Sequence, residues 1–135
     1  MNISVTQAQG RVPVSIIHLD GHLDGQSYQQ LIEEAGRLYK EGARDFLIDL
    51  SKVTFMSSAG MVGLHTVALL ARGEKLPDLE QGWSTLKSIG GARASKSEHV
   101  RLLSPQPEVM SVLEMVGFSA AFDIMTDKDQ AVKAF

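Results

Sequence analysis

The stretch Phe46-Leu47-Ile48-Asp49-Leu50-Ser51-Lys52-Val53-Thr54-Phe55-Met56-Ser57-Ser58-Ala59-Gly60-Met61 sets the organisation of the chain. Its first five residues are a short, near-continuous apolar run, as expected of a central strand covered on both faces. Ser51, Lys52 and Thr54 read as a loop. Small hydroxyl residues then open a second helix, predicted from about Ser58 to Arg72, that carries Met61, Val62, Leu64, Val67, Ala68, Leu69 and Leu70. A helix this apolar is mostly buried.

Upstream, Ile3 and Val5 alternate with polar neighbours, which predicts a short edge strand ended at Gly10-Arg11. Val12 to Leu19 is β-branched and apolar and predicts a second strand in a hairpin with the first. Pro13 belongs at its start, where a missing N–H does least harm. Leu19-Asp20-Gly21-His22-Leu23-Asp24-Gly25 reads as a turn-rich connection. From Ser27 to Lys40, Leu31, Ile32, Ala35, Leu38 and Tyr39 recur at helical spacing, with Glu33, Glu34 and Arg37 opposite them. Ser27 is the expected N-cap, and Gly42 closes the helix.

Downstream, residues 73–98 form an unusual segment with sparse apolar content: Leu76, Leu79, Trp83, Leu86 and Ile89. A structureless loop of that length is uncommon inside a compact domain. Val100 to Leu103 predicts a strand, and Pro105 and Pro107 start a third helix from Glu108 to Met115 that Gly117 ends. Phe122 to Met125 is a last strand, and Asp127 begins a final amphipathic turn through Ala131, Val132 and Phe135. The order β-β-α-β-α-β-α-β-α predicts an α/β fold with one mixed, largely parallel sheet of four to five strands and about four helices.

Composition bounds the function. The 135 residues are one domain's worth, with 44% hydrophobic and 21% charged residues, an ordinary globular balance. A formal charge of -3 leaves no basic excess to hold phosphate backbones, so nucleic acid is not an expected partner. With no cysteine, disulfides, thiol catalysis and cysteine-based zinc sites are excluded. The N-terminus MNISVTQAQG lacks a signal-peptide pattern, and no apolar run approaches the roughly 20 residues of a membrane span, so a cytoplasmic protein is expected.

Catalytic chemistry is hard to assemble. His18, His22, His65 and His99 are not spaced as metal pairs, and neither a GxSxG elbow nor a phosphate-binding loop is present. His18, in a strand, reads as a satisfied structural histidine. His22 lies in a turn, and His65 is about one turn past Met61 on the second helix. Asp20 and Asp24 flank Gly21, but turns use aspartates constantly for local capping. At Ser57 and Ser58 the residues alone point first to helix capping. The functional alternative is phosphorylation or partner docking, since a phosphate would add about two negative charges to a neutral surface. Met61 is expected on the same exposed turn.

These residues resemble the STAS domain (sulfate transporter and anti-sigma factor antagonist). Leu19-Asp20-Gly21-His22-Leu23-Asp24 is similar to the family's L-x-G-x-L-D turn, and Leu47-Ile48-Asp49-Leu50-Ser51 and Val53 to Met61 match in register. The resemblance covers most of Ile3 to Arg72 and resumes more loosely from Val100. It implies a single STAS domain over residues 1–135, with an atypical insertion at about 73–98. The implied function is a non-enzymatic, bacterial, anti-sigma factor antagonist-like module without cofactor or metal. Its implied partner is an anti-sigma factor that is also a serine kinase of the histidine-kinase-like ATPase fold, with a phosphatase reversing the switch. Partner-binding residues would be Gly21, His22, Asp24, Ser57, Ser58, Ala59, Gly60, Met61 and His65. The family's phosphorylated hydroxyl commonly stands just before the glycine, and that slot is Ala59 here. Either Ser58 or Ser57 takes the phosphate, with Ser58 the residue to test, or the domain binds without a phosphorylation switch. In the insertion, Trp83 either anchors a partner or folds back over the core. The alternative functions are a STAS accessory subunit of a transporter and a phosphorylation-independent signalling scaffold.

Overall fold

The computed structural model describes residues 1–73 and 98–135. The chain opens with strand β1 (Asn2–Gln9) paired antiparallel to β2 (Pro13–Leu23), and Pro13 is indeed the first residue of its strand. Helix α1 (Tyr28–Lys40), strand β3 (Phe46–Met56), helix α2 (Ser58–Ala71) and strand β4 (Val100–Leu103) follow. Helix α3 (Pro107–Met115), a short helix α4 (Phe118–Ala121), strand β5 (Asp123–Met125) and helix α5 (Lys128–Lys133) complete the described chain. The sheet order is β1-β2-β3-β4-β5, parallel from β2 to β5. The apolar run Phe46–Leu50 therefore sits in the middle strand. The expectation for Trp83 lies outside the described residues.

Strands β2 and β3 are longer than their apolar runs. Asp20 to Leu23, expected as a turn, continues β2, and Ser51 to Thr54, expected as a loop, continues β3. The two extensions pair with each other, Gly21 against Val53, His22 against Phe55 and Leu23 against Met56. Register irregularities between His18 and Asp20 and between Gly21 and His22 break the two-residue alternation that marks a strand in sequence.

One face of the sheet, carrying Ile17, Leu19, Phe46, Ile48, Leu50, Val100 and Leu102, packs against α1, α2 and α3. Helix α1 buries Leu31, Ala35 and Leu38 and ends in a Schellman turn. There the Ala43 N–H donates to the Leu38 carbonyl and the Gly42 N–H to the Tyr39 carbonyl, with Gly42 at φ 110 as that motif requires. Helix α2 is buried on nearly every side, and Gly63 lets α1 and α2 approach closely. Among the described residues the other face is only partly covered. Val14, Ile16, Leu47 and Leu103 lie under Ala131 and Val132 of α5. Beyond them the same face is polar, with Thr6, His18 and Asp49 bonded across three strands. So Asp49 interrupts the apolar run where the covering helix stops, and among the described residues β3 is covered on both faces only at its start.

Burial pushes the Asp49 carboxyl up, but the N–H and hydroxyl of Ser51 and the His18 ring outweigh it and hold it below the ordinary range. A carboxyl depressed in the folded state stabilises the fold above its unfolded value, near 4, and loses that contribution as pH falls through the folded value. Urea titrations between about pH 6 and pH 2 should therefore show a smaller acid-induced loss of stability for Asp49→Asn than for the wild type. Two glycines give a second comparison. A Cβ at Gly60 would overlap the Leu23 carbonyl oxygen and lie 3.0 Å from Leu23 Cγ, whereas one at Gly36 would meet only Leu70 Cδ1 at 3.8 Å. Gly60→Ala should cost about 2 kcal/mol or more, and Gly36→Ala should gain about 0.5–1 kcal/mol from helix propensity. Equal urea midpoints for the two variants would contradict this account of the α2 start.

Candidate functional site

The parallel strands β2 and β3 end side by side, and the chain leaves both at the same end of the sheet. Leu23 closes β2, and its carbonyl accepts the Ser57 N–H at 3.0 Å. Ser57, extended at φ -95 and ψ 176, is the N-cap of α2; its hydroxyl accepts the Gly60 N–H at 3.4 Å. Its carbonyl accepts the Met61 N–H at 3.2 Å. The capping expected at the serine pair therefore falls to Ser57, and Ser58 begins the helix itself. No acidic side chain occupies the first turn of α2, so its own side chains leave the positive end of the helix dipole uncompensated.

The turn after β2 folds against this helix start. Asp24 Oδ1 accepts the Gln26 N–H at 2.9 Å, and the Asp24 carbonyl accepts the N–H groups of Ser27 at 3.2 Å and Tyr28 at 2.9 Å. Ser27 is buried, and its hydroxyl donates to the His22 carbonyl at 2.6 Å and accepts the Asp24 N–H at 3.0 Å. It braces the turn by these bonds and makes no side-chain bond into its own helix, a departure from simple N-capping. The Gln26 N–H, with the Ser27 hydroxyl and N–H and the His22 ring, draws the Asp24 carboxyl below its ordinary range against the opposing effect of burial. Gly25 meets α2, since a Cβ there would sit 4.0 Å from the Ala59 Cβ. The turn and the helix start form one continuous surface, with Ser57, Ser58 and Ala59 half-buried upon it.

Of the residues that sequence singles out, His22, Asp24, Ser57, Ser58 and Ala59 come together at this tip. Met61 does not belong to its surface. It is 4% exposed and part of the core, because the fourth residue after the N-cap has already turned beneath the strand ends. Gly60 is likewise buried, pressed on Leu23. Gly21, at φ 121, lies beside Met1. It lines a shallow polar hollow of about 530 Å³ with Asp20, His22, Asp24, Gln26 and Gln30. His65 is half-buried, seven residues beyond Ser58 and so about 10 Å further along the helix. His18 and His99 are elsewhere. His18 bridges Thr6 and Asp49, and His99 pairs through Nδ1 with Asp45 Oδ1 at 3.0 Å at the opposite end of the parallel strands. Among the described residues no His, Asp or Glu grouping could hold a metal ion, and no helix is long and apolar enough to cross a membrane.

Phe55 is the surface residue that sequence reading overlooks. It is 51% exposed, and its ring meets the exposed His22 ring edge-on, 5.8 Å between centroids and 74° between planes. In sequence Phe55 falls between a predicted loop and a helix start, where no periodicity assigns it a face. Only the paired register of the two extensions shows that Phe55 points outward while Val53 and Met56 point in.

No curated protein matches the chain. Solved structures match nearly all of it. The anti-sigma factor antagonist SpoIIAA in its unphosphorylated form is 18% identical, with a TM-score of 0.62 over 97% of this chain and 93% of that one. An anti-sigma factor antagonist from Mycobacterium paratuberculosis is 20% identical, with a TM-score of 0.66 over 98% and 93%. A Thermotoga maritima structure, described as that of a candidate anti-sigma factor antagonist, is 14% identical, with a TM-score of 0.70 over 97% and 92%. At these identities the likeness shows the fold, an α/β sheet of the SpoIIAA kind. A family model for the STAS domain matches residues 5–72, the span that runs from β1 through the tip to the end of α2. The chain belongs to the STAS domain family.

Proposed function

We propose that the chain is an anti-sigma factor antagonist that docks on an anti-sigma factor through the tip built by His22, Asp24, Phe55 and Ser57 to Ala59. The observation that carries this reading is the convergence itself. Two strand ends, a braced turn and the first turn of a buried helix meet on one surface that offers an exposed aromatic pair, small side chains and an uncompensated helix N-terminus. Small residues allow close approach of a partner, and a half-exposed aromatic on a rigid strand is the kind of side chain that anchors an interface. Membership of the STAS family and the shared fold with named antagonists support the choice of partner class.

Ser58 is the switch residue in this reading. Ser57 already uses its hydroxyl to cap α2, whereas no capping bond falls to the Ser58 hydroxyl. A phosphate on Ser58 adds about two negative charges to the centre of the docking surface, next to the ionised Asp24 turn. The partner then faces like charge and the cost of desolvating a phosphate, and it releases the antagonist. The partner is an anti-sigma factor with serine kinase activity on a histidine-kinase-like ATPase fold, and a phosphatase resets Ser58.

Titration calorimetry against each purified anti-sigma factor kinase of the same organism tests this. Ser58→Ala should bind like the wild type, and Ser58→Asp should bind at least about tenfold more weakly, a change of roughly 1.4 kcal/mol. With ATP present, peptide mass mapping should find phosphate on Ser58 and none on Ser57. Equal affinities for the alanine and aspartate variants would remove the switch while leaving the docking surface standing. Binding unchanged by Phe55→Ala and Ala59→Arg alike would remove the docking surface too.

A further inference from the structure

The polar half of the sheet, which α5 leaves open, carries an arrangement independent of the tip. Thr6 on β1, His18 on β2 and Asp49 on β3 form one hydrogen-bonded chain. Thr6 Oγ1 lies 2.9 Å from His18 Nε2, and His18 Nδ1 lies 2.8 Å from Asp49 Oδ2. The other Asp49 oxygen accepts the Ser51 N–H at 3.0 Å. An ionised Asp49 can only accept, so Nδ1 of a neutral imidazole must carry the proton. Nε2 is then the basic nitrogen, and Thr6 must be the donor to it. A hydroxyl bonded to the free nitrogen of a carboxylate-anchored imidazole is the arrangement that raises the nucleophilicity of an alcohol. All three groups stand on paired strands, so the alignment needs no loop to close. Thr6 itself is exposed, at the rim of a hollow of about 380 Å³ that Ser4, Asp20 and Lys52 also line. Lys52 brings to the same hollow a positive charge, the sign that an oxyanion formed there would need.

We infer that Thr6 is an activated nucleophile, a modification site that accepts an acyl group from an activated ester, with His18 as its general base and Asp49 as a positioning residue. In this step Thr6 Oγ1 bonds to the donor's carbonyl carbon while its proton passes to His18 Nε2. The bond from that carbon to the leaving-group oxygen then breaks, and the oxygen keeps the electron pair. The imidazolium returns its proton to the leaving group or to water. The products are a threonine ester and a free alcohol, nothing is oxidised or reduced, and no turnover is required.

The full chain treated with p-nitrophenyl acetate tests this by coloured phenolate release and peptide mass mapping. The expected result is one acetyl group on Thr6, formed with one equivalent of phenolate. Thr6→Val keeps a β-branched residue on an exposed strand and should abolish the adduct. His18→Gln and Asp49→Asn should slow it by about 10²-fold or more. Acetylation confined to lysines and the N-terminal amine overturns the inference. So does a Thr6 rate that survives His18→Gln, an outcome no folding defect can explain.

Discussion

The tip exists because Gly60 has no side chain. Its Cα rests on the Leu23 carbonyl, the same oxygen that accepts the Ser57 N–H. One backbone group thus acts as hydrogen-bond anchor and as steric wall for the first turn of α2. Moving the helix outward to admit a Cβ would stretch the Ser57 bond. Tilting it would lift Met61, Val62 and Leu64 from the core they share with Leu19, Leu23 and Met56. The direction of α2 is therefore fixed by the contact that brings Ser57, Ser58 and Ala59 to the surface, and the packing of the helix and the placing of the tip depend on one close approach.

The distribution of helices explains the two sheet faces. The three crossover helices α1, α2 and α3 all pack on one side. Among the described residues the other side receives only the six residues of α5, enough to cover Val14, Ile16, Leu47 and Leu103. Side chains beyond its reach must satisfy themselves with each other or with water, and buried or half-buried polar groups are costly unless bonded. Thr6, His18 and Asp49 meet that demand by pairing across strands, the sheet counterpart of helix side-chain ladders. The same economy operates at the sheet's far corner. There Arg101 donates to Asp123 and, at 2.9 Å, to the Ala134 carbonyl, and its guanidinium lies 4.9 Å over the Phe135 ring, tying the C-terminal segment down.

Much of this was legible in the residues because local and global signals agree. The 3.6-residue spacing of Leu31, Ala35 and Leu38, with Gly42 behind them, fixes α1, and the apolar run Phe46–Leu50 announces the middle strand. Alternation of elements then leads to a largely parallel sheet. The strand extensions were not legible. Asp20, Gly21, Ser51, Lys52 and Thr54 are turn-forming or polar types, and the register irregularities between His18 and His22 erase the two-residue period that would have marked them as strand. Phe55 was missed for the same reason. Met61 was misplaced because α2 is apolar on almost every side, so periodicity offers no way to tell its inner from its outer face. The Thr6–His18–Asp49 chain joins residues 12 and 31 positions apart, and only pairing brings them together.

The two serines at the tip are chemically alike but energetically opposite as phosphate acceptors. Phosphate on Ser57 would take the capping oxygen away from the Gly60 N–H and press bulk toward the Leu23 carbonyl. Losing such a cap costs about 0.5–2 kcal/mol, and α2 supplies much of the core, so this modification would strain the fold itself. Phosphate on Ser58 falls at the first helical position, where free N–H groups and the positive dipole favour negative charge by about 0.3–1 kcal/mol. Modification there would leave the cap and the Gly60 contact in place and would change only the surface of the tip. A reversible switch in a small domain needs that separation, because a protein only about 5–15 kcal/mol stable cannot sacrifice its central helix at each cycle. With Ala59 in the next position, the same logic leaves Ser58 as the hydroxyl whose modification the fold tolerates best.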